Sequence, residues 1–371
     1  MKNLLVIILF VMPFITKAQD TLKRHTVTLS SQIEYAQDSA IYKSASVLKE
    51  FLLTKNTDLV QKTPFVTKEH IVQFLHMLFM DSKEHTGYIP LEFLQFQIFD
   101  YKKEKEKILF KTLVCYEFPD DKTSFTIVAI FNSLAVKTKN GYEVKLVADD
   151  YMKKFVKMET KWATYYAEKS SYLDKKLLKK ADAYCDSLAA AFGTLKPKKT
   201  NYVIMNPHIN AMQYFGLEYY WTDTNFIDEE IGLIIDNKTA SPFYKHELSH
   251  YVLQQFTDRK MFKEGLATYT SGKANDVSTF ANEVRLLKKE ADYKNVDVMK
   301  DILYVRKGLW LVYPIGALLS KKAYEMGGIE KLKALHNTDE KQDILELITE
   351  FFELKNQRAE EFVIQLIDEY K

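Results

Sequence analysis

The sequence predicts an α+β protein in two parts: a small N-terminal α+β domain, then a larger domain in which a long helix and three short strands are followed by helices. Three observations predict it. Between residues 108 and 147 the chain is rich in β-branched and aromatic residues, interrupted by turn residues. From about 160 to 192 apolar residues recur at helical spacing. Beyond three short strand-like pieces comes one further helix, and from about residue 276 the chain reads as helical to its end. A length of 371 residues is enough for two cores.

Taken in order, residues 1–18 read as an export signal. Lys2 gives the positive start, Leu4 to Ile15 form an apolar run of 12 residues, and Thr16-Lys17-Ala18 places small residues before a cleavage point at Gln19. The run is shorter than the ~20 residues of a spanning helix. No cysteine follows it as a lipid anchor would need, and no later stretch is apolar enough to span a bilayer. The expectation is a secreted or periplasmic protein with no membrane span after signal cleavage.

Residues 19–150 form the first expected domain. Residues 25 to 80 read mostly as helix, with Ile71, Phe74, Leu75, Leu78 and Phe79 at i, i+3, i+4 spacing. Ile108 to Phe118, Ser124 to Val136 and Tyr142 to Val147 read as strands, separated by turns at Pro119-Asp120-Asp121 and Lys139-Asn140-Gly141. Helices followed by a meander resemble, in element order, the cystatin or nuclear-transport-factor type of roll. No paired acids, nucleophile–base set or glycine-rich phosphate loop occurs here.

Residues 151–371 form the second expected domain. A helix is predicted from about 160 to 192, with Leu173, Leu177, Ala181, Tyr184, Leu188 and Phe192 on one side and Gly193 ending it. Tyr202 to Met205, Leu217 to Trp221 and Ile231 to Ile235 read as strands, and Asp236-Asn237 turns the chain. Ser241-Pro242 then supplies an N-cap residue and a proline for the first helical position.

The 52 basic and 50 acidic residues leave a net charge of +2, against the basic bias of a nucleic-acid binder. Lys175-Lys176 and Lys179-Lys180 sit at helical spacing and read as a solvated face. Cys115 and Cys185 could form one disulfide in an exported protein, but their apolar settings favour two buried thiols.

The helix after Pro242 carries the chemistry. Residues 246 to 250 read His-Glu-Leu-Ser-His. Positions i and i+4 share one helix face, so His246 and His250 can reach one metal ion. Glu247 can address a water on that ion without binding the ion. Leu248, Tyr251, Val252 and Phe256 give the same helix a separate packing stripe. A catalytic zinc needs a third protein ligand. Residues 264 to 269 read Glu-Gly-Leu-Ala-Thr-Tyr, with 13 residues between His250 and Glu264.

These residues resemble the gluzincin zinc metallopeptidases, the group that includes thermolysin and the zinc aminopeptidases, in their bacterial secreted branch. The resemblance is specific from Ser241 to Gly272 and looser over 151–371. It implies a thermolysin-like catalytic domain: a mixed sheet, an active-site helix and a helical C-terminal lobe. It implies Zn2+ as cofactor, with His246, His250 and Glu264 as ligands, and Glu247 as general base. The interval to Glu264 is shorter than in the aminopeptidases, and Met261-Phe262 stands where a tryptophan is often found. In this group the strand before the active-site helix edges the cleft, here Ile231 to Ile235. Tyr-Pro-Ile-Gly from residue 313 is similar to a segment whose tyrosine stabilises the oxyanion, which makes Tyr313 the candidate; Tyr269 and His208 are weaker ones.

The implied function is zinc-dependent hydrolysis of a peptide or protein substrate, with nothing in the sequence bearing on oligomeric state. One rival is a catalytically inactive peptidase-fold binding protein acting through its N-terminal domain; the complete ligand set and Glu247 argue against it. The other is a structural zinc site, which lacks a fourth protein ligand nearby.

Overall fold

The computed structural model describes residues 26–371 except 55, 62, 64–70, 72–93, 119–120, 195–198, 206–215, 221–225, 229–232, 237–238, 257–259, 275–277, 291–292, 296–311 and 339–341. The expected signal, the stripe beyond Ile71, the turn at Pro119-Asp120 and His208 lie outside the described residues. The chain forms two compact units, residues 1–154 with 212–224, and residues 155–211 with 225–371.

The first unit is built on one sheet. Strands β1 (Thr26–Leu29), β2 (Leu94–Glu104), β3 (Lys107–Phe118), β4 (Asp121–Thr138) and β5 (Gly141–Leu146) lie in that order. The three strands expected from residue 108 onward are β3 to β5. The expectation of helix from residue 25 is corrected at its start. Thr26–Leu29 pairs parallel with β2, and helices α1 (Ser31–Glu34) and α2 (Ser39–Thr54) follow it. Four residues that bury Val27 and expose Thr26 and Thr28 are too short to reveal a period of two. The short helix α3 (Ala148–Met152) closes the unit's continuous part.

Strand β4 is long enough to take two partners on one edge. Residues 133–138 pair with β5, and residues 129–131 pair with β9 (Leu217–Tyr220). The strand expected at 217–221 thus extends this first sheet. Gly216 makes that junction possible. Its φ is +89°, and a Cβ there would stand 2.6 Å from the Asn132 carbonyl oxygen and 2.5 Å from Val147 Cγ2.

The second unit holds a five-stranded sheet and a helical lobe. Strands β6 (Val156–Glu159), β7 (Ala163–Ala167), β8 (Thr200–Ile204), β10 (Phe226–Asp228) and β11 (Leu233–Asp236) are ordered β10-β11-β8-β7-β6. The central pairs β7–β8 and β8–β11 are parallel; the outer pairs are antiparallel. One expectation is corrected here. The helix predicted from residue 160 begins only at α4 (Lys175–Phe192), because 156–159 and 163–167 are strands. All of Ala163–Ala167 is buried, and a strand buried on both faces shows no alternation by which to separate it from helix. Among the described residues β10 lies outside β11 in this sheet.

Helix α4 begins and ends for local reasons. The Asp174 side chain accepts from the amides of Lys176 and Leu177, and Gly193 adopts φ +65° after the last turn. Leu178, Ala181, Cys185, Leu188 and Phe192 form its buried stripe. Cys185 and Cys115 are both free thiols, and burial pushes Cys185 up to about 12. The remaining helices are α5 (Lys245–Leu253), α6 (Lys260–Ser271), α7 (Phe280–Glu290), α8 (Val312–His336), α9 (Ile344–Phe351) and α10 (Ala359–Glu369). Gly327 and Gly328 break the regular geometry of α8.

Candidate metal centre

Helix α5 starts three residues later than Ser241-Pro242 suggested, with Tyr244 at its N-cap, and the cause is visible. The Ser241 carbonyl accepts the Tyr202 hydroxyl at 3.3 Å, and the Pro242 carbonyl accepts the Tyr165 hydroxyl at 3.2 Å. These oxygens would have been the first acceptors of a helix. Sheet tyrosines take them instead, and the first turn forms on Tyr244, whose carbonyl accepts from Leu248. Tyr165 and Tyr202 are fully buried. On its other side, Tyr251 donates to the Trp162 carbonyl at 3.2 Å and meets the Trp162 ring edge-on at 6.2 Å. Leu248, Tyr251, Val252 and Phe256 are buried as a packing stripe.

The opposite side of α5 presents the two histidines. Their Nε2 atoms stand 3.2 Å apart, and Glu264 Oε2 on α6 lies 3.1 Å from His246 Nε2 and 3.2 Å from His250 Nε2. The three atoms form a nearly equilateral triangle. A tetrahedral zinc with bonds of ~2.05 Å sets its ligand atoms ~3.3 Å apart. The triangle is therefore close to the size such an ion requires.

The protons reinforce this fit. His246 Nδ1 lies 3.0 Å from the Lys273 carbonyl, which can only accept, so Nδ1 carries a hydrogen and Nε2 is the nitrogen left to face a metal ion. Glu264 is held as a carboxylate: burial pushes its pKa up, but His250 and His246 hold it well below the usual range. His250 Nε2 can supply one proton at most. A cation among the three atoms satisfies all of them together.

The Lys273 carbonyl reaches His246 through the turn after α6. Gly272, at φ +73°, reverses the chain, and its amide bonds the Thr268 carbonyl at 2.9 Å. Ser271 Oγ bonds the same Lys273 carbonyl at 2.9 Å. Helix α6 thus bears on both ring nitrogens of His246, with Glu264 on one and the turn on the other.

Glu247 lies beside the triangle. One potential ligand atom from each of His246, Glu247 and His250 falls within 4.8 Å of the others. Burial raises the Glu247 pKa, the histidines oppose that rise, and Glu264 and Asp236 add to it. Tyr313, in the first turn of α8, has its ring 5.7 Å from the His246 ring. Burial raises its pKa, with Glu264, Glu247 and Glu283 adding to the effect, so the hydroxyl keeps its proton. Tyr269 lies on α6 but its ring meets Tyr324 at 6.2 Å. His246, Glu247, His250, Glu264 and Tyr313 are therefore brought together.

Two contributions were not read from the sequence. The Lys273 carbonyl carries no side-chain signal, though Gly272 marks the turn that delivers it. The other is the glycine pair Gly265 and Gly316. A Cβ on Gly265 would lie 2.3 Å from the Gly316 carbonyl carbon, and one on Gly316 would lie 2.2 Å from the Met261 carbonyl oxygen. Helices α6 and α8 cross backbone against backbone there, next to Glu264 and one turn beyond Tyr313.

No protein-family model matches the chain, and no curated protein matches it in sequence. Among solved structures it is similar to an M1 zinc metallopeptidase from Deinococcus radiodurans, at 11% identity and a TM-score of 0.31, over 74% of this chain and 63% of that one. A mutant of an M1 zinc metallopeptidase from the same organism, bound to a Tyr-Ser-Ala substrate, gives 10% identity and 0.31 over 75% and 64%. The chain spans less than two thirds of those structures. A similarity of this degree carries no weight for the site, which rests on the residues above.

Proposed function

We propose that the chain is a gluzincin-type zinc metallopeptidase acting in an extracytoplasmic compartment on a peptide or protein substrate. The observation that carries the reading is the convergence of three potential ligand atoms, from His246, His250 and Glu264, at zinc-ligand spacing beside a buried carboxylate. In this reading residues 1–18 are a signal peptide, residues 19–150 are an accessory domain and the remainder is catalytic.

Bound zinc supplies Lewis acidity, which lowers the pKa of a water towards ~7 and polarises the scissile carbonyl. The chain's own residues do the rest. His246, His250 and Glu264 hold the ion, with the Lys273 carbonyl fixing the His246 tautomer. Glu247 takes the proton of the attacking water and returns it to the leaving amine, so hydrolysis ends with one free carboxylate and one free amine. Its raised basicity suits that exchange. The Tyr313 hydroxyl donates to the oxyanion as it forms. Strand β10 is the sheet's outer strand among the described residues, and its backbone suits pairing with an extended peptide.

The test is zinc content per chain and turnover of a mixed peptide library. Wild type should hold about one zinc per chain. Glu264→Ala should lose most of it, and Glu247→Gln should keep zinc while losing turnover. A zinc-free wild type after loading, or a zinc-loaded Glu247→Gln that cleaves as wild type does, would overturn the proposal.

A further inference from the structure

Helix α5 has nine residues and no side-chain cap at its N-terminus. So short a helix does not fix its own rotation, yet two zinc ligands depend on it. At about 100° per residue, Ser249 projects from the flank of α5, roughly 80° from the direction midway between His246 and His250. It is fully buried there.

Its hydroxyl is saturated by three elements. Ser249 Oγ bonds the Lys245 carbonyl at 2.8 Å, one turn back, and this uses its only proton. The Tyr184 hydroxyl, 2.6 Å away on α4, must then be the donor to Ser249. Thr270 on α6 shares its hydroxyl proton between the Leu266 carbonyl, 2.8 Å away, and the same Ser249 oxygen, 3.2 Å away. Tyr184 is itself braced. Its ring meets Phe243 edge-on at 6.1 Å, and Lys245 Nζ lies 5.5 Å from the ring centre.

We propose that Ser249 is a positioning residue for the metal centre: held between Tyr184 and Thr270, its hydroxyl sets the rotation of α5 so that His246 and His250 meet the ion that Glu264 binds. The inference rests on the zinc reading given above. A 10° rotation of α5 would swing a ring nitrogen roughly 6 Å from the axis by about 1 Å. A metal–ligand bond tolerates only ~0.2 Å. Thr270 lies six residues after Glu264 on α6, so the same hydroxyl cluster keys the two ligand-bearing helices to each other.

The test compares zinc affinity, by competition with a chromophoric chelator, in the full chain and in five variants. Ser249→Ala and Tyr184→Phe should each weaken zinc by about tenfold or more, the range seen when groups that orient metal ligands are removed. The double variant should lose little more than the larger single one, because both remove one link. Thr270→Val, which keeps the shape, should weaken zinc more than Thr270→Ser, which keeps the hydroxyl. A packing role would reverse that order. Cobalt-loaded protein adds a spectroscopic check: the ligand-field bands should shift in Tyr184→Phe while the far-ultraviolet circular dichroism stays unchanged. If wild type binds zinc and Ser249→Ala and Tyr184→Phe match it, the positioning role is overturned and the zinc reading stands. If wild type binds no zinc, both fall together.

Discussion

Replacing Gly316 with alanine tests the helix crossing beside the metal centre. The new Cβ would lie 2.2 Å from the Met261 carbonyl oxygen and 2.8 Å from Gly265 Cα, whereas ordinary contact begins at 3.4 Å. Both partners are backbone, so no rotamer change can relieve the clash. The helices must part by about 1.2 Å, the difference between 2.2 and 3.4 Å. Overpacking of this kind costs about 1–3 kcal/mol. For a unit of this size each kcal/mol lowers the unfolding midpoint by about 2–4 °C, so a fall of about 4–8 °C is expected from a cost of about 2 kcal/mol. The separation is also several times the ~0.2 Å that a zinc bond tolerates, and it arises next to Glu264. Zinc affinity should therefore fall with stability, by more than tenfold. The assays are thermal unfolding without added metal and chelator competition. A Gly316→Ala protein with an unchanged midpoint and unchanged zinc affinity would show that α6 and α8 do not touch through their backbones.

Two further outcomes follow from groups away from the centre. His336 is buried against Phe262 and bonds Ser320 through Nε2 at 3.1 Å, and burial pulls its pKa down to about 3 from 6.5. Below pH ~6.5 the unfolded chain takes a proton there that the folded chain refuses. The stabilisation is complete above that pH and is lost, at about 1.36 kcal/mol per pH unit, as pH falls towards 3. His336→Gln should lower the slope of unfolding free energy against pH by about one proton between pH ~4 and ~6; an unaltered slope would contradict this. Asp174→Ala removes a side chain that accepts from Lys176 N at 2.6 Å and Leu177 N at 3.2 Å. It should cost about 1 kcal/mol in denaturant unfolding, and Asp174→Asn should recover most of it.

The parts of the site legible in the sequence are those whose geometry is local. His246 and His250 are four residues apart, and helix geometry alone brings their rings to one point. The ending of α4 at Gly193 is local in the same sense, although apolar spacing predicts that helix from about residue 160 and it begins at Lys175. What the sequence concealed is what depends on distant partners. Ser241-Pro242 reads as a helix start, but hydroxyls 39 and 77 residues away claim its carbonyls. Ala163 to Ala167 shows no inward–outward alternation because both faces of the strand are covered. Gly265 and Gly316 stand out individually, and only the crossing of α6 and α8 shows that they face each other.

The double hold of α6 on His246 has a kinetic consequence. Glu264 approaches one ring nitrogen and the turn closing the same helix bonds the other, so in the proposed zinc site a fluctuation that detaches α6 would remove a ligand and free the imidazole to change tautomer in a single event. Metal exchange would then be timed by local opening of this helix rather than by sequential release of independent ligands. The shortness of the interval between His250 and Glu264 acts in the same direction. A small loop loses less entropy on closing, so the opened helix returns quickly and the ion meets a site that is seldom half-built.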